Sequence, residues 1–475
     1  MRTKIVFFLL ITFIVNSGFY QKHSFLQKPI NIKDMGAISD GHFDNTRIIQ
    51  DAINLCSDSG GGTVYFPPGK YLTGTIFLKD NVCLNLDHGS LIKGIASNNA
   101  YTTASSGKRG LVCIDNATNV RITGSGTIDG NGNHPVFEKT EDKNDLRPLL
   151  LEIVDSRDVT IKDIHLQNSA FWGLHIFNSD HVTIDDVSIY NHGNLNNDGI
   201  DIDGNNVVIA NCQIDCDDDA LCFKSEGDRV CENVVVTNCV LASNCNFIKF
   251  GTGSIHGFKN ISVSNCVLRA ASESNFRKWD SLIHGVKDPI TGISGIALEI
   301  VDGGAMDQVT INNITMTGVQ TPIFMRLGSR SNPTGSMKNV IISNIIATTH
   351  SLIPSCISAV KGFYIENVTI RDIRVNCMGE GTKEDLNPEV PEMEKFYPEN
   401  RMFGSSLPAY GLYMRHAKNI VLENLNFSLI SPDCRPALWF EDAQDIILRG
   451  LQADQPEGTQ GLIIEKQSSV RKSQL

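Results

Sequence analysis

Three stretches decide the fold of this chain: Asn205-Asn206-Val207-Val208-Ile209-Ala210-Asn211-Cys212, Glu232-Asn233-Val234-Val235-Val236-Thr237-Asn238-Cys239 and Lys259-Asn260-Ile261-Ser262-Val263-Ser264-Asn265-Cys266. Each begins 27 residues after the one before, so Cys212, Cys239 and Cys266 share one phase. A fixed step of that size marks a solenoid in which every coil stacks on the next. Within each copy, β-branched residues alternate in period two and the run closes at Asn, which is strand chemistry followed by turn chemistry.

The signature continues in both directions. Asn119-Val120-Arg121-Ile122, Asp158-Val159-Thr160-Ile161 and His181-Val182-Thr183-Ile184 precede the three copies. Gln308-Val309-Thr310-Ile311, Asn339-Val340-Ile341-Ile342, Asn367-Val368-Thr369-Ile370, Asn419-Ile420-Val421-Leu422 and Asp445-Ile446-Ile447-Leu448 follow them. No helical stretch of ten residues separates the copies, so crossover helices are excluded. The pattern predicts an all-β chain, a single right-handed parallel β-helix over residues 29–466 with stacked Val, Ile and Leu ladders inside. An aromatic content of 7% fits such a core. The glycosylation-type triplets at Asn313 and Asn367 fall on the repeat and read as turn asparagines.

The segment from Asn45 to Cys56 has helical spacing in Ile48, Ile49, Ala52, Ile53 and Cys56, with Asn45 or Thr46 as its cap. It is expected to cover the open N-terminal end of the solenoid. Gly60-Gly61-Gly62 lacks the Lys-Ser/Thr of a phosphate loop and reads as a turn. Two stretches break the repeat, Ala271 to Gly292 and Gly379 to Pro408, and insertions of this kind project around a binding groove.

Arg2 and Lys4 ahead of an apolar run from Ile5 to Val15, then Ser17 and Gly18, resemble a secretory leader over residues 1–18. The run is too short to span a bilayer. A periplasmic or extracellular monomer is therefore expected. Thirteen Cys in an exported chain ordinarily suggest disulfides. Stacked parallel strands, however, point their Cβ atoms alike and suit that bond poorly. Cys212, Cys239 and Cys266 are read as a buried thiol ladder, and a disulfide among Cys216, Cys222, Cys231 and Cys245 stays open. The net charge of −12 leaves no basic excess for a phosphate backbone, so nucleic acid is excluded as a partner.

Chemistry concentrates in Asn196-Asn197-Asp198-Gly199-Ile200-Asp201-Ile202-Asp203 and Asp215-Cys216-Asp217-Asp218-Asp219-Ala220-Leu221-Cys222-Phe223-Lys224-Ser225. Acids on neighbouring coils repel one another, which gives a solenoid no stability and points to function. Two carboxylates of unlike pKa suit glycoside hydrolysis, and clustered carboxylates also suit Ca²⁺.

Over nearly its whole mature length the chain resembles glycoside hydrolase family 28, the polygalacturonases. Asn196-Asn197-Asp198-Gly199 is similar to the family's Asn-Thr-Asp-Gly, and Asp217-Asp218-Asp219-Ala220 to its Gly-Asp-Asp-Cys/Ala, with Lys224-Ser225 fixing the register. Asp34-Met35-Gly36-Ala37, Asp40-Gly41 and Pro67-Pro68-Gly69 resemble the N-terminus shared by β-helix pectin enzymes. The resemblance implies an inverting hydrolase of pectic polysaccharide with no cofactor and no metal. Asp218 would be the general acid, held protonated by its flanking acids. Asp198 and Asp219 would activate the attacking water. Among substrate-binding candidates, Asn196 lies beside the acids, and His175 follows Trp172-Gly173 in a groove position.

Two family motifs are altered. Asn246 stands nearest the His of Gly-His-Gly, and Ala297-Leu298-Glu299 aligns with Arg-Ile-Lys, whose cations grip a substrate carboxylate. Lys249 is a candidate replacement charge, Arg326, Arg330 or Arg415 could approach from later coils, and Glu299 would add an acid near the groove. The expectation is an exo- or side-branch-acting enzyme on a sparsely charged glycan. A Ca²⁺-dependent lyase of the same fold and a non-catalytic carbohydrate-binding β-helix are the alternatives.

Overall fold

In the computed structural model, the described residues are 28–139, 145–386, 389–458 and 461–473. The expected leader lies outside them. Among the described residues, no helix is long and apolar enough to cross a membrane.

Strands from Ile30–Asn31 to Val470–Ser473 pair in parallel with the coil before and the coil after, in three columns. Register is continuous. Val182, Val207, Val234, Ile261, Val309, Val340, Val368, Ile420 and Ile446 stand directly above one another. All are buried. Each polar neighbour in the alternation points out, because successive side chains of a strand take opposite faces. A one-residue slip would turn the whole ladder to solvent, which is why the register is so strongly specified.

The turns explain the recurrent asparagines. Asn206, Asn233, Asn260, Asn339, Asn367 and Asn419 all have φ between 52° and 59°. That left-handed region is costly for most L-residues and least so for Asn and Asp. Their amides also link coil to coil, as in Asn260 Nδ2 to Asn233 Oδ1 at 2.7 Å and Asn419 Nδ2 to Asn367 Oδ1 at 2.6 Å. Asn313 belongs to the parallel ladder at the next corner, donating to Asn265 and accepting from Asn344, both at 3.0 Å.

Cys212, Cys239 and Cys266 stack inside that corner, buried and free. Each thiol donates to the carbonyl two residues back, at 3.2–3.3 Å. Cys216, Cys222, Cys231 and Cys245 are free thiols as well, so the possible disulfide among them is not formed.

The helix spans Thr46–Asp58 and buries Ile49, Ala52, Ile53 and Cys56 against the first coils. Its start differs from the expectation. Asn45 occupies the cap position, but its side chain turns back to the Ile38 backbone, and Asp44 Oδ1 accepts the Thr46 N–H at 2.9 Å instead.

The two insertions fold over the outer face of one strand column. In the first, Trp279 donates Nε1 to Asn244 O at 2.8 Å and packs with Cys245, Ile283, Val286 and Ile293. The second packs Met402 and Phe403 on Phe324, Tyr413 and Trp439, and Asn400 donates into the strands at Ile293 O and Thr321 Oγ1.

Candidate active site

One row of backbone hydrogen bonds crosses successive coils where each turn enters that column. Gly173 N donates to Asp198 O, Gly199 N to Asp219 O, and Ala220 N to Asn246 O, at 2.9 Å each. The row places Asp198, Asp219 and Asn246 on consecutive rungs, about 4.8 Å apart. Register also puts His175, Asp201, Cys222 and Lys249 side by side on the outward face of the strands just beyond.

The acids are not alike. Asp219 is buried, which alone would push its carboxyl up. The Lys249 ammonium at 2.9 Å and the Asn246 amide at 2.7 Å outweigh that effect and hold it at about 2. Asp198 has no such cation. Burial, reinforced by Asp201, Asp218 and Asp219, pushes its carboxyl well above the usual range. Asp201, beside Lys224 at 3.5 Å, is pushed by burial to about 7.

Asp218 differs from the expectation. Sequence places only acids around it, whereas Arg277 from the first insertion donates to its Oδ2 at 2.7 Å. The carboxyl that burial and like charge drive toward protonation is Asp198, one rung away.

A cavity of about 400 Å³ opens here, lined by Asn196, Asp218, Asn246 and Lys249 on the coil side. Arg277 and Trp279 of the first insertion and Tyr397, Glu399 and Arg401 of the second close it over. Arg401 bridges the two, its guanidinium 5.1 Å from the Trp279 ring and its Nε 2.9 Å from Glu399. Tyr397 Oη lies 3.0 Å from Lys249 Nζ. The insertions thus convert an open groove into a pocket and supply two of its three cations.

Lys249, expected as a replacement charge, is 3% exposed and is in the cavity wall. Other expected residues sit elsewhere. Glu299 is fully buried with neither carboxylate oxygen hydrogen-bonded, and burial pushes it up to about 8. Arg326 does not line the cavity. Its guanidinium is spent on Ser358 Oγ and on the Glu392 and Met393 carbonyls, which pins the second insertion. Arg415 does the same through Val390 and Pro391. Arg330 pairs with Asp302 and stands behind Tyr397. His175 is buried under Trp172, with Nδ1 3.3 Å from Glu152 Oε1. Asp217 accepts from Asn275 N and does not line the cavity.

Sequence reasoning missed Arg277, Trp279, Tyr397, Glu399 and Arg401. The available signal was their place in the two stretches that break the repeat.

The acids do not suit a Ca²⁺ site. Asp198 and Asp201 converge with the Cys222 thiol, and Asp218 and Asp219 with that of Cys245, each set within 4.8 Å. Ca²⁺ takes six to eight oxygen ligands. Here each pair of carboxylates is joined by sulfur and already faces a lysine or arginine.

Comparison with known proteins agrees with this geometry. The chain is 34% identical over 219 residues to a Vitis vinifera protein named "Probable polygalacturonase", covering 42% of this chain and 44% of that one. It is 32% identical over 197 residues to "Probable endo-xylogalacturonan hydrolase A" of Aspergillus fumigatus, covering 38% and 46%. The aligned part is therefore less than half the length of these relatives. The structure superposes on an exopolygalacturonase from Thermotoga maritima with a TM-score of 0.66 at 21% identity, over 85% of this chain and 92% of that one. That likeness shows a shared fold, the right-handed β-helix of pectin-degrading enzymes. The model of glycosyl hydrolases family 28 matches residues 56–393, and the chain belongs to that family.

Proposed function

We propose that this protein hydrolyses glycosidic bonds of a pectic polysaccharide from a chain end or short branch, with inversion at the anomeric carbon, outside the cytoplasm. The observation that carries the reading is the pocket. Two insertions close over the aspartates and leave about 400 Å³, room for a short stretch of glycan rather than for a long chain lying across an open groove.

Asp218 is the aspartate on the cavity wall, placed to give a proton to the departing oxygen. Asp219, held ionised by Lys249, takes a proton from the attacking water. Asp198, one rung away, is pushed toward its protonated form by burial and by the charges of Asp201, Asp218 and Asp219. Acid–base hydrolysis needs one carboxyl that gives a proton and one that takes it, and Asp218 and Asp219 stand side by side for those two roles. Asp218 and Asp219 bring oxygens to within 4.8 Å of each other, closer than the roughly 6.5–9.5 Å of most inverting carboxyl pairs, so the first-formed anomer is the measurement that decides the stereochemistry. Arg277, Arg401 and Lys249 replace the cations lost from the Arg-Ile-Lys position. They support a uronate in the pocket, against the sparsely charged substrate expected from sequence.

The test is incubation with polygalacturonate, xylogalacturonan and oligogalacturonides, reading product size and the first-formed anomer by NMR. Short products of inverted configuration are expected, with Asp218→Asn reducing the rate on the order of 10²–10⁴. A 4,5-unsaturated product would replace this reading with a lyase, and no cleavage of any glycan would refute it.

A further inference from the structure

Upstream of the acids, the same row of backbone bonds continues through Leu150 N to Trp172 O and Leu149 N to Arg109 O. Arg109 therefore stands three rungs before Asp198, about 14 Å along the helix at 4.8 Å per rung. A second cavity of about 460 Å³ lies there, lined by Lys108, Arg109, Arg147, Phe171 and Asp145. It carries three cations and one acid on a chain whose net charge is −12.

The three cations have different tasks. Arg147 is nearly buried and already committed, paired with Asp145 at 2.5 Å and bonded to the Leu195 carbonyl, with its guanidinium over the Phe171 ring at 4.8 Å. It is a fixed wall. Lys108 has no carboxylate within ion-pairing distance among the described residues. Its ammonium rests 4.6 Å from the centre of the Trp172 ring. An indole face orients an ammonium without using up its N–H donors. Arg109 spends Nη1 on Asn98 O, and it too has no acidic partner among the described residues. Phe171 and Trp172 stack at 4.9 Å and hold the two sides of the site together.

Cations without an acidic partner among the described residues, oriented in a concavity upstream of the acids, are the donor set for a carboxylate. We infer that Lys108 and Arg109 form a second anion-reading subsite, which binds the carboxylate of a uronate residue on the same glycan chain, upstream of the bond cleaved and about 19 Å from it at four rungs of 4.8 Å. This inference rests on the proposed hydrolase reading. It makes the enzyme a reader of uronate pattern at two places, the roofed pocket and this upstream cavity.

The experiment is a chain-length series of oligogalacturonides, from dimer to hexamer, with wild type, Lys108→Ala, Arg109→Ala and the conservative Lys108→Arg. In wild type, kcat/KM should rise steeply at the length that first spans both cavities. Lys108→Ala and Arg109→Ala should each cut that rise at least tenfold, through KM rather than kcat, and Lys108→Arg should restore most of it. Methyl-esterifying the long oligomer should lower wild type below the Lys108→Ala level, because the roofed pocket loses its carboxylate as well, and should abolish the difference between wild type and Lys108→Ala. Cleavage whose length dependence survives both alanine substitutions overturns the subsite alone. Failure of wild type to cleave any oligomer overturns the hydrolase reading and the subsite with it. Circular dichroism melts show whether a variant has lost its fold. If one has, charge reversal at Lys108 is the replacement, with loss of the length effect expected.

Discussion

Lys249→Met tests the electrostatic core of the site. The ammonium is 4% exposed, bonded to Asp219 Oδ2 at 2.9 Å and to Tyr397 Oη at 3.0 Å. Removing it leaves a buried carboxylate with only neutral donors, the Asn246 side-chain amide and backbone N–H and the Cys245 thiol. With Asp219 held at about 2 against an ordinary 3.8, the folded state favours its charged form by about 2 kcal/mol. Breaking one side of a buried pair costs more than the pair contributes, about 3–5 kcal/mol, because the remaining charge is uncompensated. A carboxyl depressed in the folded state stabilises above its unfolded pKa and loses that contribution as pH falls through its folded value. The gap between wild type and Lys249→Met should therefore be full at pH 5 and narrow toward pH 2. Urea denaturation of wild type, Lys249→Met, Asp219→Asn and the double variant gives the coupling energy directly. The double variant should recover about 2 kcal/mol relative to the sum of the single changes. Additivity within about 0.5 kcal/mol would refute the pairing as an energetic unit.

Arg277→Gln removes the guanidinium from Asp218 and from the cavity. It should reduce kcat/KM on acidic oligosaccharides at least tenfold and displace the pH–rate profile, whereas an equal loss on a neutral glycoside would deny it a role in reading charge. Glu299 is pushed to about 8 by burial, so the folded state holds its proton more tightly than the unfolded one, and stability should fall as pH rises from about 4.5 to 8. Glu299→Gln should flatten that fall in melts taken at pH 5 and pH 8, and an unchanged slope would count against it. All thirteen thiols should react with a thiol reagent after unfolding without reductant, and a deficit of two or more would reveal a disulfide.

The coils were legible in the sequence because each carries the same physical demand. An inward β-branched pair, an outward polar partner and a left-handed corner recur until their phase is unmistakable. Asp198, Asp218 and Asp219 were legible for the converse reason, since charge clustered on adjacent coils contradicts what a solenoid needs. What could not be read was the partner of each charge. Arg326, Arg330 and Arg415 have the right chemistry and the right column, yet two of them are consumed by the insertion's own backbone carbonyls. Arg277 and Arg401 lie in segments without period, where no spacing rule says which side chain folds inward.

That division bears on how such a site changes substrate. Asp198, Asp218 and Asp219 lie in the turns that enter the strand column, where Gly173 N donates to Asp198 O and Gly199 N to Asp219 O. Asn246 and Lys249 lie on a strand locked in register with its neighbours, so none of these residues can move far without disrupting the ladder. The pocket's roof, with Arg277, Trp279, Tyr397 and Arg401, rests on a few anchors, among them the Trp279 indole, Asn400 and the guanidinium of Arg326. Substituting a roof residue leaves the coil geometry intact, whereas substituting a strand cation such as Lys249 removes the charge that keeps Asp219 ionised. On the proposed reading, carboxylate recognition rests on Arg277 and Arg401 of the insertions together with Lys249 of the strand column. The strand rung at Ala297-Leu298-Glu299 offers no cation, only a neutral Ala297 and a buried Glu299.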